Sequence, residues 1–167
     1  MTIREFIFNQ IVKLPKEEYM GTRTIQRDAV ISADAERIYD YLTTGEKLES
    51  WFPGRAKTDP TVGGEYHFTF LAAGSVDHER TGRFTYLEPG KAVEYTWDFG
   101  AGETKVRFDI AGNGKGSKVG LEHSGFGEGT ELEEAYSMHD QGWDLFLRNL
   151  ESVITGGKDL RKELGFA

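Results

Sequence analysis

Apolar and polar residues alternate with period two through the middle of the chain and recur every three to four residues near its end. In Gly63-Gly64-Glu65-Tyr66-His67-Phe68-Thr69-Phe70, the residues Tyr66, Phe68 and Phe70 fall on one face and Glu65, His67 and Thr69 on the other. Successive strand side chains point to opposite sides of a sheet, so this is a strand with one aromatic face. The next run places Arg80, Gly82, Phe84 and Tyr86 together and turns at Glu88-Pro89-Gly90-Lys91. Val93, Tyr95, Trp97 and Phe99 form the following inner row, then Thr104, Val106, Phe108 and Ile110. Past Gly112-Asn113-Gly114-Lys115-Gly116-Ser117, read as a hairpin turn and not a phosphate loop, a last strand carries Val119, Leu121 and His123 inward. One wet face and one aromatic face predict an antiparallel meander covered on a single side.

The cover is predicted at the C-terminus. Thr130-Glu131-Leu132-Glu133 reads as a capping box, followed by Leu132, Tyr136, His139, Trp143, Phe146, Leu147, Leu150 and Ile154 on one helical stripe that ends at Gly156-Gly157. Upstream, TIQRDAVI (24–31) reads as a first strand, and Ser32-Ala33-Asp34 as the cap of a helix over 35–42 with Ile38, Tyr41 and Leu42 inside. Thr43 and Glu46 form a second capping box, predicting a short helix that ends near Trp51. The result is one α+β domain over residues 24–157, with a tail at 158–167 and an N-terminal extension at 1–23 packed on it. In that extension Ile3, Ile7, Ile11 and Leu14 share a helical spacing, while Phe6-Ile7-Phe8 run together as a strand would.

Composition narrows the class. With 167 residues, one sizeable core is expected. The 20 basic and 28 acidic side chains give a net charge of −8, opposite to what nucleic acid or an anionic membrane attracts, so neither is an expected partner. The absence of cysteine removes disulfides, thiolate metal sites and cysteine nucleophiles, and fits a reducing cytoplasm. MTIREFIFNQ lacks the uninterrupted apolar core of a secretory signal. His67, His78, His123 and His139 show no ligand spacing, so no metal is expected, and no cofactor either.

Five segments carry a family resemblance: YDYLTTGEKLESWFPG, VGGEYHFTF, GRFTYLEPGKAVEYTW, GLEHSGF and the GW of QGWDLFLRNLESVI. In this order, over residues 24–154, they resemble the START-like helix-grip (SRPBCC) superfamily, and within it the branch homologous to the C-terminal domain of the heat shock protein 90 ATPase activator. That resemblance implies a curved antiparallel sheet of about six or seven strands wrapped around one long C-terminal helix, with two short helices after the first strand and a cavity between sheet and helix. It implies a small-molecule binder, a cofactor-independent cyclase or hydrolase, or a chaperone-interacting module.

Such cavities are lined by apolar and aromatic groups with a few polar ones. The expected lining is Trp51, Phe68, Phe70, Phe84, Tyr86, Tyr95, Trp97, Phe108, His123, Phe126, His139, Trp143 and Phe146, most of which would serve as ordinary core as well. A small, largely hydrophobic, aromatic or polyketide-like ligand would stack on Trp97, Phe84 and Trp143. Arg80 or His123 would address its polar end, Arg80 through a carboxylate or phenolate. His123 is the candidate general base for the enzymatic alternative. Gly142, inside the predicted helix, calls for either close packing or room for a ligand beside Trp143; Gly125, Gly127 and Gly129 around Phe126 are read as a connection or a lid. Both a monomer and a homodimer are compatible with the sequence, with Phe6-Ile7-Phe8 able to cover a sheet edge.

Overall fold

Period-two alternation is realised as seven strands, among the residues that the computed structural model describes: 23–100, 102–127 and 129–164. They run as β1 (Arg23–Ile31), α1 (Ala35–Thr43), α2 (Gly45–Glu49), β2 (Arg55–Thr58), β3 (Glu65–Ala72), β4 (Ser75–Glu88), β5 (Ala92–Asp98), β6 (Glu103–Gly112), β7 (Ser117–Phe126), α3 (Thr130–Gly156) and α4 (Arg161–Leu164). The sheet order is β1-β7-β6-β5-β4-β3-β2 with every neighbouring pair antiparallel. The α1–α2 connection therefore carries the chain from one edge of the sheet to the other. This is the α+β helix-grip architecture that the sequence resembles. The readings made for Phe6-Ile7-Phe8 and the rest of residues 1–22 lie outside the described residues.

The inner rows fall where alternation puts them. Tyr66, Phe68, Phe84, Val93, Tyr95, Trp97, Val106, Phe108, Val119 and Leu121 are buried, and Trp143, Leu147, Leu150 and Ile154 of α3 close over them. Tyr86 departs from its row. The β4–β5 register shifts between Phe84 and Tyr86, a bulge that sends every later side chain to the other face. Tyr86 is consequently 41% exposed on the outer side, donating its hydroxyl to Glu88 Oε2 at 2.9 Å, with the Arg107 guanidinium 4.9 Å from its ring centre. It lines no inner space.

Local caps differ from the sequence reading in two places. Asp34 caps α1 as expected, accepting from the Arg37 amide at 2.8 Å. Thr43, however, is the last residue of α1 and its hydroxyl donates back to the Tyr39 carbonyl. Thr44 takes the N-cap position of α2 without a side-chain bond, so the proposed Thr43–Glu46 box does not form. At α3 the N-cap is Gly129 with φ of 121°, and not Thr130. Gly125 and Phe126 belong to β7, and Phe126 is fully buried against Phe99 and His123, so this part of the glycine-flanked segment is strand and not loop.

Gly82 shows how one small residue sets the inner surface. The Tyr66 ring lies across β4 at this point, and its hydroxyl donates to the Thr96 carbonyl. A Cβ on Gly82 would stand 2.6 Å from the Tyr66 ring and hydroxyl and 2.7 Å from the Thr96 oxygen. Gly82→Ala is therefore expected to cost about 1–3 kcal/mol, the usual range for overpacking. Urea denaturation checks it, and an unchanged midpoint would show that Tyr66 can move aside freely.

Candidate functional site

The sheet and α3 form a wedge. The α3 backbone approaches the sheet most closely at β1, where Arg27 on the inner side of the strand donates to Asp144 at 2.7 Å and to Asp140. This double contact ties the helix to one edge. Toward β3 and β4 the gap is bridged by large side chains alone, and that is where the candidate site lies.

Phe52 occupies the middle of the gap. It sits just past α2, is 3% exposed, and stacks between Trp97 and Trp143 with ring centres 5.9 and 5.2 Å away and interplanar angles of 27° and 26°. Phe68, Phe70 and Phe146 meet it edge-on at 5.7, 5.2 and 4.8 Å. The space between the two tryptophans, where a ligand was expected to stack, is thus held by a residue of the chain itself. Backbone contacts fix its position: Asn149 Nδ2 donates to the Trp51 carbonyl at 2.8 Å, and Arg161 Nη1 donates to the Pro53 carbonyl at 2.7 Å. Trp51 lies beneath, fully buried, with its Nε1 on the Tyr41 carbonyl. Phe84 and Tyr95 pack with Tyr66 further along the wedge, while Phe108 meets Trp143 edge-on.

Both tryptophans are anchored by histidines. Trp143 Nε1 donates to His123 Nδ1 at 3.0 Å, so the other His123 nitrogen carries the proton and donates to the Thr104 hydroxyl at 2.6 Å. Thr104 in turn donates to the Trp97 carbonyl. Trp97 Nε1 donates to His139 Nε2 at 2.9 Å, and His139 Nδ1 donates to the Ala135 carbonyl. The two imidazoles are 5.1 Å apart. Burial, followed by the proximity of His139, pushes the His123 pKa down to about 2. Burial also holds His139 down to about 4, against the raising effect of its backbone bond and with help from nearby Arg80 and His78. Each ring is neutral with both nitrogens engaged, so His123 as placed here has no lone pair left to accept a substrate proton.

Arg80 is the polar group at the rim. Its guanidinium carbon is 6.0 Å from the centre of the Trp97 ring, on the inner side of β4. Nη1 donates to the Glu79 carbonyl at 2.8 Å, whereas Nε is shielded from solvent and has no partner. No carboxylate of the described residues pairs with it. Burial lowers its pKa, opposed by more distant Asp98, Tyr66 and Asp77. Across the gap, one turn beyond His139, stands Gly142, where an added Cβ would meet no described atom within 4 Å. Close approach of the helix to the sheet or to α2 therefore does not explain this glycine.

Three residues of this arrangement escaped the sequence reading. Phe52 lies on no periodic stripe and was overshadowed by the neighbouring Trp51. Thr104 was assigned an inner position without a role, although a hydroxyl in an aromatic row needs a partner. Asn149 is fully buried on α3, and only its polar character amid apolar neighbours marked it.

The family described as Activator of Hsp90 ATPase homolog 1-like protein matches residues 32–155. The chain belongs to this family. The match takes in Phe52, Arg80, Trp97, His123, His139, Gly142 and Trp143, while Arg27 and Arg161 lie outside it. Among solved structures, protein CV1439 from Chromobacterium violaceum is 30% identical with a TM-score of 0.66, over 78% of this chain and 96% of that one. The Aha1 dimer from Colwellia psychrerythraea is 23% identical with a TM-score of 0.70, over 81% of this chain and 98% of that one. DynU16, from the dynemicin biosynthetic locus, is 18% identical with a TM-score of 0.68, over 81% of this chain and 48% of that one. These likenesses confirm the fold. No curated protein matches the sequence. Among the described residues no helix is long and apolar enough to cross a membrane.

Proposed function

We propose that this chain binds a small, largely hydrophobic and aromatic molecule at the open side of the wedge, between the β3–β4 hairpin and α3. Gly142 is the observation that carries the reading. A glycine in a helix interior costs about 1 kcal/mol relative to alanine, and in a 27-residue helix it is neither a cap nor a point of close packing against the described residues. A hollow kept beside the aromatic wall formed by Phe52, Trp97 and Phe146 would account for it. Aromatic walls with few polar groups are the ordinary lining of small-molecule sites. With both histidines already occupied, binding or sequestration is favoured over turnover.

Two substitutions at one position separate this reading from a structural quirk. Gly142→Ala is expected to raise stability by about 1 kcal/mol through helix propensity alone. Gly142→Leu, by filling the hollow, is expected to preserve the fold while abolishing the thermal stabilisation that 2-naphthol and related aromatics give the unchanged protein. A ligand at 100 times its dissociation constant adds about 2.7 kcal/mol, which a melting curve resolves. If aromatics stabilise neither form, or both equally, the hollow is not the binding site.

A further inference from the structure

The one charged group inside the site lacks the partner its surroundings demand. Arg80 lies against Trp97 with a water-shielded Nε that bonds to nothing, and its only hydrogen bond within the described protein runs from Nη1 to a backbone carbonyl. Nη2 likewise makes no hydrogen bond within the described protein, so the guanidinium keeps a charged donor for a carboxylate or phenolate oxygen. Neighbouring carboxylates are committed elsewhere: Glu79 faces His67 at 3.2 Å on the outer side, and Asp77 bonds His78. The other cationic candidate nearby, His139, is held neutral by burial and by its bond from Trp97.

Resting on the binding function above, we propose that the ligand is an aromatic anion, whose carboxylate or phenolate is held by the unpartnered Nη2 of Arg80 while its ring lies toward Gly142. The arrangement selects for charge as well as shape. A neutral aromatic entering the hollow leaves the cation unpaired, whereas an anion supplies the acceptor that is missing. Asp98, whose field also reaches Arg80, accepts from the Gly100 amide at 2.7 Å and forms no ion pair with the guanidinium. In the depression around Arg27, by contrast, the cation is outnumbered by the carboxylates of Asp28, Asp109 and Glu122.

The test pairs a charged probe with a neutral one of the same shape. Binding of 2-naphthoate and of 2-naphthamide is measured by calorimetry on the full chain and on Arg80→Met, which keeps the apolar stem over Trp97. The expected result is at least a tenfold preference for 2-naphthoate, erased in Arg80→Met while 2-naphthamide binding stays within about twofold. Melting curves of both forms verify that the variant is folded. Equal affinities for the two probes, unaffected by the substitution, would overturn the anion assignment and leave the aromatic site standing. Absence of binding by either probe would overturn both.

Discussion

Phe52→Ala is expected to remove about 3–5 kcal/mol of stability, the largest effect of any single substitution considered for this protein. Six aromatic rings touch the Phe52 side chain: Trp51, Phe68, Phe70, Trp97, Trp143 and Phe146. Four of these are themselves less than 5% exposed. Such rings are hemmed in by one another and by the bonds that fix Trp97 and Trp143 to their histidines, so they cannot collapse far into the vacated space. Truncation then costs the lost transfer energy and leaves a cavity as well. Domains are stable by only about 5–15 kcal/mol, so the variant would be marginal. Urea denaturation measures the loss directly. A loss under about 1.5 kcal/mol would mean that the wedge closes when its central ring is removed, and that the gap between sheet and helix is not rigid. An enlarged apolar hole should also be refilled by indole or toluene, which would raise the melting temperature of Phe52→Ala more than that of the unchanged chain.

That this residue dominates the wedge was not legible in the sequence, and the reason is physical. Periodicity reports which side of an element a residue faces, and it correctly placed Phe68, Tyr95, Trp97, Phe108, Trp143 and Leu150 inside. Phe52 belongs to no element; it enters the core from a turn whose path is set by distant partners, Asn149 and Arg161, about a hundred residues away in the chain. Similar reasons account for the other misses. Tyr86 obeys alternation until a bulge adds one residue, and nothing in GRFTYLEPG marks where the addition falls. The four residues of β2, Arg-Ala-Lys-Thr, have no apolar alternation because an edge strand this short is specified by pairing with β3 and not by burial. Thr43 and Thr44 are equally good caps by sequence, and the choice between them rests on how many turns α1 completes.

The pairing of tryptophan with histidine belongs to the same category. His123 was placed inward by parity and His139 by helical stripe, but that each would accept an indole N–H depends on how β5, β7 and α3 meet in space. The consequence is a buried polar network in which every member has a partner: Trp143 to His123, His123 to Thr104, Thr104 to the Trp97 carbonyl, and Trp97 to His139. Fully satisfied networks of this kind fix side-chain orientation inside a core that could otherwise be repacked by many arrangements of similar rings. Here they hold the two indole planes at the separation that Phe52 fills. The same bonds demand neutral imidazoles, since an imidazolium has no lone pair to offer an indole N–H.

Stability should therefore fall steeply with mild acid. Both histidines have pKa values depressed in the folded chain, to about 2 for His123 and about 4 for His139, against 6.5 when unfolded. Above pH 6.5 neither state is protonated and the full contribution is present. Between pH 6.5 and about 4 the unfolded chain takes up protons that the folded chain refuses, so each histidine withdraws up to about 1.4 kcal/mol per pH unit. Going from pH 7 to pH 5 should cost about 2–4 kcal/mol in all, the lower figure applying if the more accessible His139 is partly screened by water. Below about 4 the His139 share levels off, while that of His123 continues toward pH 2. Ordinary carboxylates do not confuse the upper part of this window, because their own linkage begins nearer their unfolded values around 4. Denaturation free energies at pH 7, 6 and 5 read the slope, and His139→Gln, whose side-chain oxygen can accept from Trp97 Nε1 without titrating, should reduce it by about half. A stability profile that is flat from pH 7 to 5 would show that the imidazoles titrate freely, and with that the Trp–His bonds would lose their role as the anchors of the wedge.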